Sequence, residues 1–229
     1  MDGGEPGSER SAAGPALGPG PAVRWRPALR PVDPALVLRL AGYPRVGEAT
    51  PPIWEAASRM ASRADALVEP EAWWRVVSVD AADGTGARLR EGPRFAGRAV
   101  GLHLGAGRLA VAFVLTVGGA LEAEVLALGE AREPLDAFLL DTAGWAAIEQ
   151  AVRELRLDLR ARARDRGWRL THRLAPGYAD WPVEEQSHLL RLFAASTLPV
   201  RLSEHGVLVP FKSITGIFGV AGSPISESP

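Results

Sequence analysis

The chain has 229 residues, 47% of them hydrophobic, enough for one good core or at most two small ones. Its formal net charge of −1 gives no electrostatic case for nucleic acid or an acidic membrane surface. With no cysteine it can form no disulfide, thiolate metal site, iron–sulfur ligation or cysteine nucleophile of its own.

The four histidines, His103, His172, His188 and His205, have no metal-site spacing. The longest apolar run, Leu109 to Leu121, is too short to span a bilayer and reads as a buried strand running into a helix. The N-terminus carries acids early and has no apolar signal region. With the missing cysteines this fits a cytoplasmic protein with no membrane partner. Lys212 is the only lysine.

Residues 1–24 are Gly, Pro, Ala and Ser with almost no large apolar side chain, and are expected to be a disordered tail. The fold is expected over 25–221, with a second tail over 222–229. Asp33-Pro34 is a helix start, with a helix to Ala41 whose buried stripe is Leu36, Leu40 and Val37. Thr50-Pro51-Pro52 caps a second helix to about Val68, apolar at Ile53, Ala57, Met60, Ala64 and Leu67. Glu71 to Val79 alternates as a strand, with Trp73, Arg75, Val77 and Val79 on one face and Trp74, Val76 and Ser78 on the other. Asp83-Gly84 is a turn.

Ala99 to Leu104 reads as a strand, Gly105-Ala106-Gly107 as a hairpin turn and Leu109 to Val117 as its partner strand. A phosphate-loop reading of these glycines fails, because a dinucleotide fingerprint should open a helix. Gly118-Gly119 leads into a helix from Ala120 to about Glu130. Pro134 opens the longest helix, to about Arg166; small residues fill its first half, where Asp141 and Glu149 lie. Its second half, rich in Arg and Glu, reads as a solvated face. Val183 to Ala195 is a further helix, followed by short strands at Val200–Ser203 and Val207–Val209 and a longer one at Ser213–Val220.

The least ordinary stretch is Thr171-His172-Arg173-Leu174-Ala175-Pro176-Gly177-Tyr178-Ala179-Asp180-Trp181-Pro182. Pro176 fixes its own φ and pushes Ala175 towards an extended conformation, while Gly177 allows positive φ or a close approach. The backbone of Arg173, Leu174 and Ala175 is therefore expected to be free to face a ligand. Arg173 offers a planar fork suited to a carboxylate, and Tyr178 and Trp181 offer flat surfaces. Glu184 and Glu185 fall in the first turn of the following helix, where the macrodipole favours acids. His172 reads as a packing residue.

Arg173-x-Ala-Pro-Gly-Tyr178, followed by Asp180-Trp-Pro-x-Glu-x-Gln186, resembles the S-adenosylmethionine-binding loop of the activation domain of cobalamin-dependent methionine synthase, and more closely its free-standing form. Ser203-Glu-His-Gly-Val-Leu-Val-Pro-Phe-Lys-Ser-Ile-Thr-Gly216 is similar to that family's ending, with His205 and Phe211 where the common pattern has Ser and Arg. The resemblance implies a single α+β domain with a bent antiparallel sheet flanked by helices. It implies an S-adenosylmethionine site at Arg173, Ala175, Gly177 and Tyr178, with Glu149 and Asp141 as weaker candidates from the long helix. It also implies a cobalamin carried by a partner methionine synthase polypeptide, and a flavodoxin- or ferredoxin-like reductant. The chain has no cobalamin-binding Asp-x-His-x-x-Gly, no homocysteine zinc site and no folate barrel, so it is expected to be an accessory activation subunit rather than a complete enzyme. Two alternatives stay open: an activator of another corrinoid methyltransferase, and a non-enzymatic interaction module whose ligand site has decayed.

Overall fold

The strand that opens at Glu71 runs to Asp83 (β2) and carries most of the sheet's connections. A computed structural model describes residues 17–222 apart from 44 and 91. The tail expected over 1–24 falls outside the described residues up to 16. Beyond that it differs from the expectation: Leu17 is fully buried, Pro19 bridges Val76, and Val23–Trp25 (β1) pairs antiparallel with β2. Of the second expected tail, only Gly222 is described.

Gly86–Leu89 (β3), Arg94–Ala96 (β4), Leu109–Thr116 (β5), Arg169–Leu174 (β6) and Ser213–Ala221 (β9) complete the main sheet. The order is β4-β3-β2-β5-β9-β6, every ladder antiparallel, with β1 on the free edge of β2. A register shift between Val79 and Ala81 marks where β2 passes from β5 to β3, and such bulges bend strands. Arg201–Leu202 (β7) and Leu208–Val209 (β8) form a separate two-stranded ribbon.

Helices cover both faces. Pro34–Leu40 (α1), Pro51–Leu67 (α2) and Pro134–Arg164 (α5) contribute to a core on Trp74, Val76, Val111, Phe113, Leu115 and Phe218. Ala120–Glu130 (α4) packs on α5 through Leu121. Arg98–Leu104 (α3) and Gln186–Arg191 (α6) lie on the other face, over Val77, Val79, Ala110, Ala112, Val114 and Ile217. Buried on both faces, β5 reads as a continuous apolar run, whereas β2 alternates as its sequence predicts. The fold is thus a single α+β domain with an antiparallel sheet between helices. Among the described residues no helix is long and apolar enough to cross a membrane.

Four local expectations change. The helix expected over Val183–Ala195 is a 3-10 turn at Val183–Glu185 followed by α6, which ends at Arg191. The segment read as a strand at Ala99–Leu104 is α3, so Gly105-Ala106-Gly107 joins a helix to β5 and is not a hairpin turn. In α1 the buried residues are Val37 and Leu38, with Leu40 turned to solvent. Thr50 starts α2 without a side-chain cap.

Helix α3 crosses the β2–β3 hairpin at backbone distance: a Cβ on Gly101 would lie 1.8 Å from the Asp83 carbonyl oxygen and 2.8 Å from that of Gly86. Gly101→Ala should therefore destabilise the protein by about 3 kcal/mol, the upper range for overpacking, because backbone cannot rotate away as a side chain can. Urea denaturation checks this; a loss below about 0.5 kcal/mol, the size of a neutral surface change, would mean that α3 slides freely.

Candidate functional site

The unusual stretch divides into strand and loop. Arg173 and Leu174 still belong to β6, opposite Phe218 and Ile217, so the ligand-facing backbone expected there is partly taken up by the sheet. The loop proper begins at Ala175. The Tyr178 amide donates to the Ala175 carbonyl at 3.1 Å, with Pro176 and Gly177 (φ 88°) between them, which is a type II turn. Gly177 N–H donates to the Trp181 carbonyl (2.9 Å) and Trp181 N–H to the Tyr178 carbonyl (3.1 Å). Ala175 is buried, and its carbonyl keeps a second lone pair beyond the turn bond.

Two acids bolt this loop to the neighbouring elements. The Asp180 carboxylate accepts from the backbone N–H of Arg98 (2.6 Å) and Ala99 (2.9 Å), capping α3 from across the molecule. Those bonds, from Ala99 first and then Arg98, hold its carboxyl below the usual range. The Glu185 carboxylate accepts from the Trp181 indole (2.9 Å) and from Ala96 N–H (3.0 Å). Glu185 is therefore a strut between loop and sheet rather than a helix-dipole acid. Trp181 itself is buried edge-on against Phe95, ring centroids 5.1 Å apart.

Arg173 sits at the meeting point. Its Nη2 is 3.6 Å from Glu149 Oε1 on α5, and its guanidinium lies 6.0 Å from the centre of the exposed Tyr178 ring. Its Nη1 is buried and has no hydrogen-bond partner among the described residues. The structure thus brings together Arg173, Tyr178 and Glu149, with Ala175 and Gly177 forming the turn beside them.

Asp141 is engaged elsewhere. Lys212 Nζ donates to Asp141 Oδ1 at 2.6 Å, and lies 4.6 Å from the Trp145 ring centre and 5.0 Å from that of Phe211. Gly144 makes room for this lysine: a Cβ there would stand 3.1 Å from Lys212 Cε and 2.8 Å from Leu121 Cδ2. The small residues of α5 therefore admit side chains here. His205 lies in an exposed turn 3.4 Å from Glu204.

The far end of α3 meets the start of the stretch. His103 Nε2 is 2.8 Å from Thr171 Oγ1, which also accepts from Gly219 N–H. The His103 ring lies edge-on to His172, centroids 4.5 Å apart. Helix α3 is accordingly a splint, held by Asp180 at one end and touching Thr171 and His172 at the other. Burial, then the neighbouring His172, lowers the His103 pKa from 6.5 to about 4. A histidine depressed in the fold is neutral there, so its stabilisation is present above pH 6.5 and is lost as pH falls from 6.5 towards 4. We expect acidification across that window to remove on the order of 2 kcal/mol, allowing for solvent at the ring edge, and His103→Gln to flatten the slope. Unfolding free energies measured every half pH unit check this; parallel slopes for the two proteins would refute it.

The chain matches no protein-family model and no curated protein sequence. Among solved structures it is similar to the crystal structure of the MetH reactivation domain bound to AdoHcy, with a TM-score of 0.67 and 14% identity over 94% of this chain and 82% of that one. At that identity the likeness is one of fold.

Proposed function

We propose that this chain binds S-adenosylmethionine at Arg173–Tyr178 and acts as the activation subunit that supports reductive remethylation of cobalamin in a cobalamin-dependent methionine synthase. The observation that carries the ligand reading is the buried Nη1 of Arg173 without an acceptor. Buried guanidinium donors are rarely left unpaired; a ligand carboxylate reached by a small shift of this side chain would supply the missing acceptor, and a guanidinium takes carboxylates in bidentate geometry. Glu149, beside it, offers a counter-charge to the ligand's ammonium, and Tyr178 a ring for adenine or sulfonium. These groups fit the cofactor's charged ends. When bound, S-adenosylmethionine supplies a methyl group on a positively charged sulfur; the residues here bind and orient it.

The methyl acceptor would be a cobalamin carried by a partner polypeptide, with electrons from a flavodoxin- or ferredoxin-like donor, in the cytoplasm. Phe138, Asp141, Trp145 and Glu149 share one face of α5 by spacing, and the Phe138, Trp145 and Phe211 rings are exposed. Exposed aromatics beside a ligand site suit a protein partner, which gains most from burying rings. The likeness in fold to a reactivation domain bound to AdoHcy agrees with this reading.

Calorimetry tests the ligand half: we expect saturable S-adenosylmethionine binding by metal-free protein. No heat and no thermal shift at millimolar ligand would leave the interaction-module reading. For the partner half, the protein should restore turnover to a reductively stalled synthase that lacks its own activation domain, and only with S-adenosylmethionine present.

A further inference from the structure

The solvated second half of α5 has a feature that the ligand reading does not use. Residues 153–169 hold seven arginines against three acids, in a chain whose formal net charge is −1. Leu157, Arg160, Ala161, Arg164, Trp168, Arg169 and Leu170 line a groove of about 620 Å³ between α5 and the start of β6. A second cleft, with Arg108 on its wall, adjoins it at Trp168. Arg160, Arg164 and Arg169 are exposed, and among the described residues none has a carboxylate within 4.0 Å. Asp158, the acid facing this turn of the helix, is spent on Arg162 at 2.7 Å. Uncompensated arginines on a rigid helix are pre-organised forks for carboxylates or phosphates.

Two observations choose between those ligands. Trp168 is only 6% exposed and covered by the Arg166 guanidinium, 5.6 Å from its ring centre, so no ring is offered for a base to stack on. Leu157, by contrast, is about half exposed at the groove, an apolar anchor of the kind a protein surface buries. We propose that this groove docks a partner protein through a cluster of its Asp and Glu side chains, seated on Arg160, Arg164 and Arg169 with an apolar residue against Leu157. Arg160 and Arg164 lie about 16–22 Å along α5 from Glu149, so a partner seated on them is held clear of the ligand loop.

The probe is a fluorescently labelled poly-L-glutamate peptide, titrated by anisotropy against the full chain at low salt, with a single-stranded oligonucleotide of equal charge as the second arm. We expect the acidic peptide to bind and Arg160→Glu/Arg164→Glu to weaken it about tenfold or more, because exposed charges across an interface set encounter and register. The same reversal at two exposed arginines elsewhere, Arg88→Glu/Arg191→Glu, should leave most of the affinity. Both variants alter exposed side chains, and unchanged melting curves establish that they fold. Equal losses for the two variants would reduce the effect to net charge and overturn the proposal. So would tighter binding of the oligonucleotide, or no binding of the acidic peptide. S-adenosylmethionine affinity should be the same in both variants, which keeps this test separate from the ligand reading.

Discussion

Arg173→Ala should weaken S-adenosylmethionine binding by roughly 1.5–3 kcal/mol, the usual worth of a charged hydrogen-bonding contact, or about one to two decades in affinity. Among the described residues the guanidinium has only a 3.6 Å ion pair to the exposed Glu149 and a 6.0 Å approach to Tyr178, both weak. Its main energetic consequence is therefore expected in the liganded state. Arg173→Lys should not rescue binding, since a point charge cannot reproduce the fork. Methylthioadenosine, which lacks the carboxylate, should be almost indifferent to either change. Tyr178→Ala should show the opposite pattern and lose methylthioadenosine as well, if its ring meets the adenine end. Calorimetric titration of both ligands into the three variants decides: equal losses for both ligands in Arg173→Ala would make this arginine a strut for the loop.

What the sequence reveals and what it hides divide along range. Helices α1, α2, α4 and α5 start where Asp33-Pro34, Pro51, Gly118-Gly119 and Pro134 signal, because caps and proline act within one turn. Strand β2 is legible from its alternation and β5 from its unbroken apolar run, both properties of the strand alone. Helix α3 is not: its seven residues begin after Gly97, and the acid that satisfies its first amides is Asp180, about eighty residues on. The nearby Gly101 and Gly105 also favour a turn reading, when Gly101 in fact answers to the carbonyl of Asp83. In the site, the type II turn at Ala175–Tyr178 follows from Pro-Gly spacing, whereas the pairing of β6 with β9 does not. Glu185 reads from the sequence as a first-turn helix acid, and neither its bond from the Trp181 indole nor that from Ala96 N–H follows from that reading. Lys212 stands out in the sequence as the sole lysine and as part of the ending that resembles the family's, but nothing in its neighbourhood shows that its ammonium ends under Trp145.

Asp141→Asn should destabilise the fold by about 3 kcal/mol, more than its position on a helix surface suggests. The Lys212 side chain is 1% exposed and its Nζ has Asp141 as its charged partner at 2.6 Å, between the Trp145 and Phe211 rings. Removing the charge leaves a buried cation compensated by a neutral amide oxygen and by ring faces, the latter worth about 2 kcal/mol when desolvated. The reverse change is gentler. Lys212→Met keeps the stem that Gly144 accommodates and leaves a carboxylate that is 41% exposed and can be hydrated, so about 1 kcal/mol is expected. The double variant should be no less stable than Lys212→Met alone, giving a coupling energy of about 3 kcal/mol or more in a double-mutant cycle measured by urea unfolding. Additive losses would show that Asp141 and Lys212 act independently. Strong coupling would mean that the Trp145 and Phe211 rings, beside the proposed ligand site, stand on a buried ion pair, so that Asp141 would shape the rim proposed to face a partner.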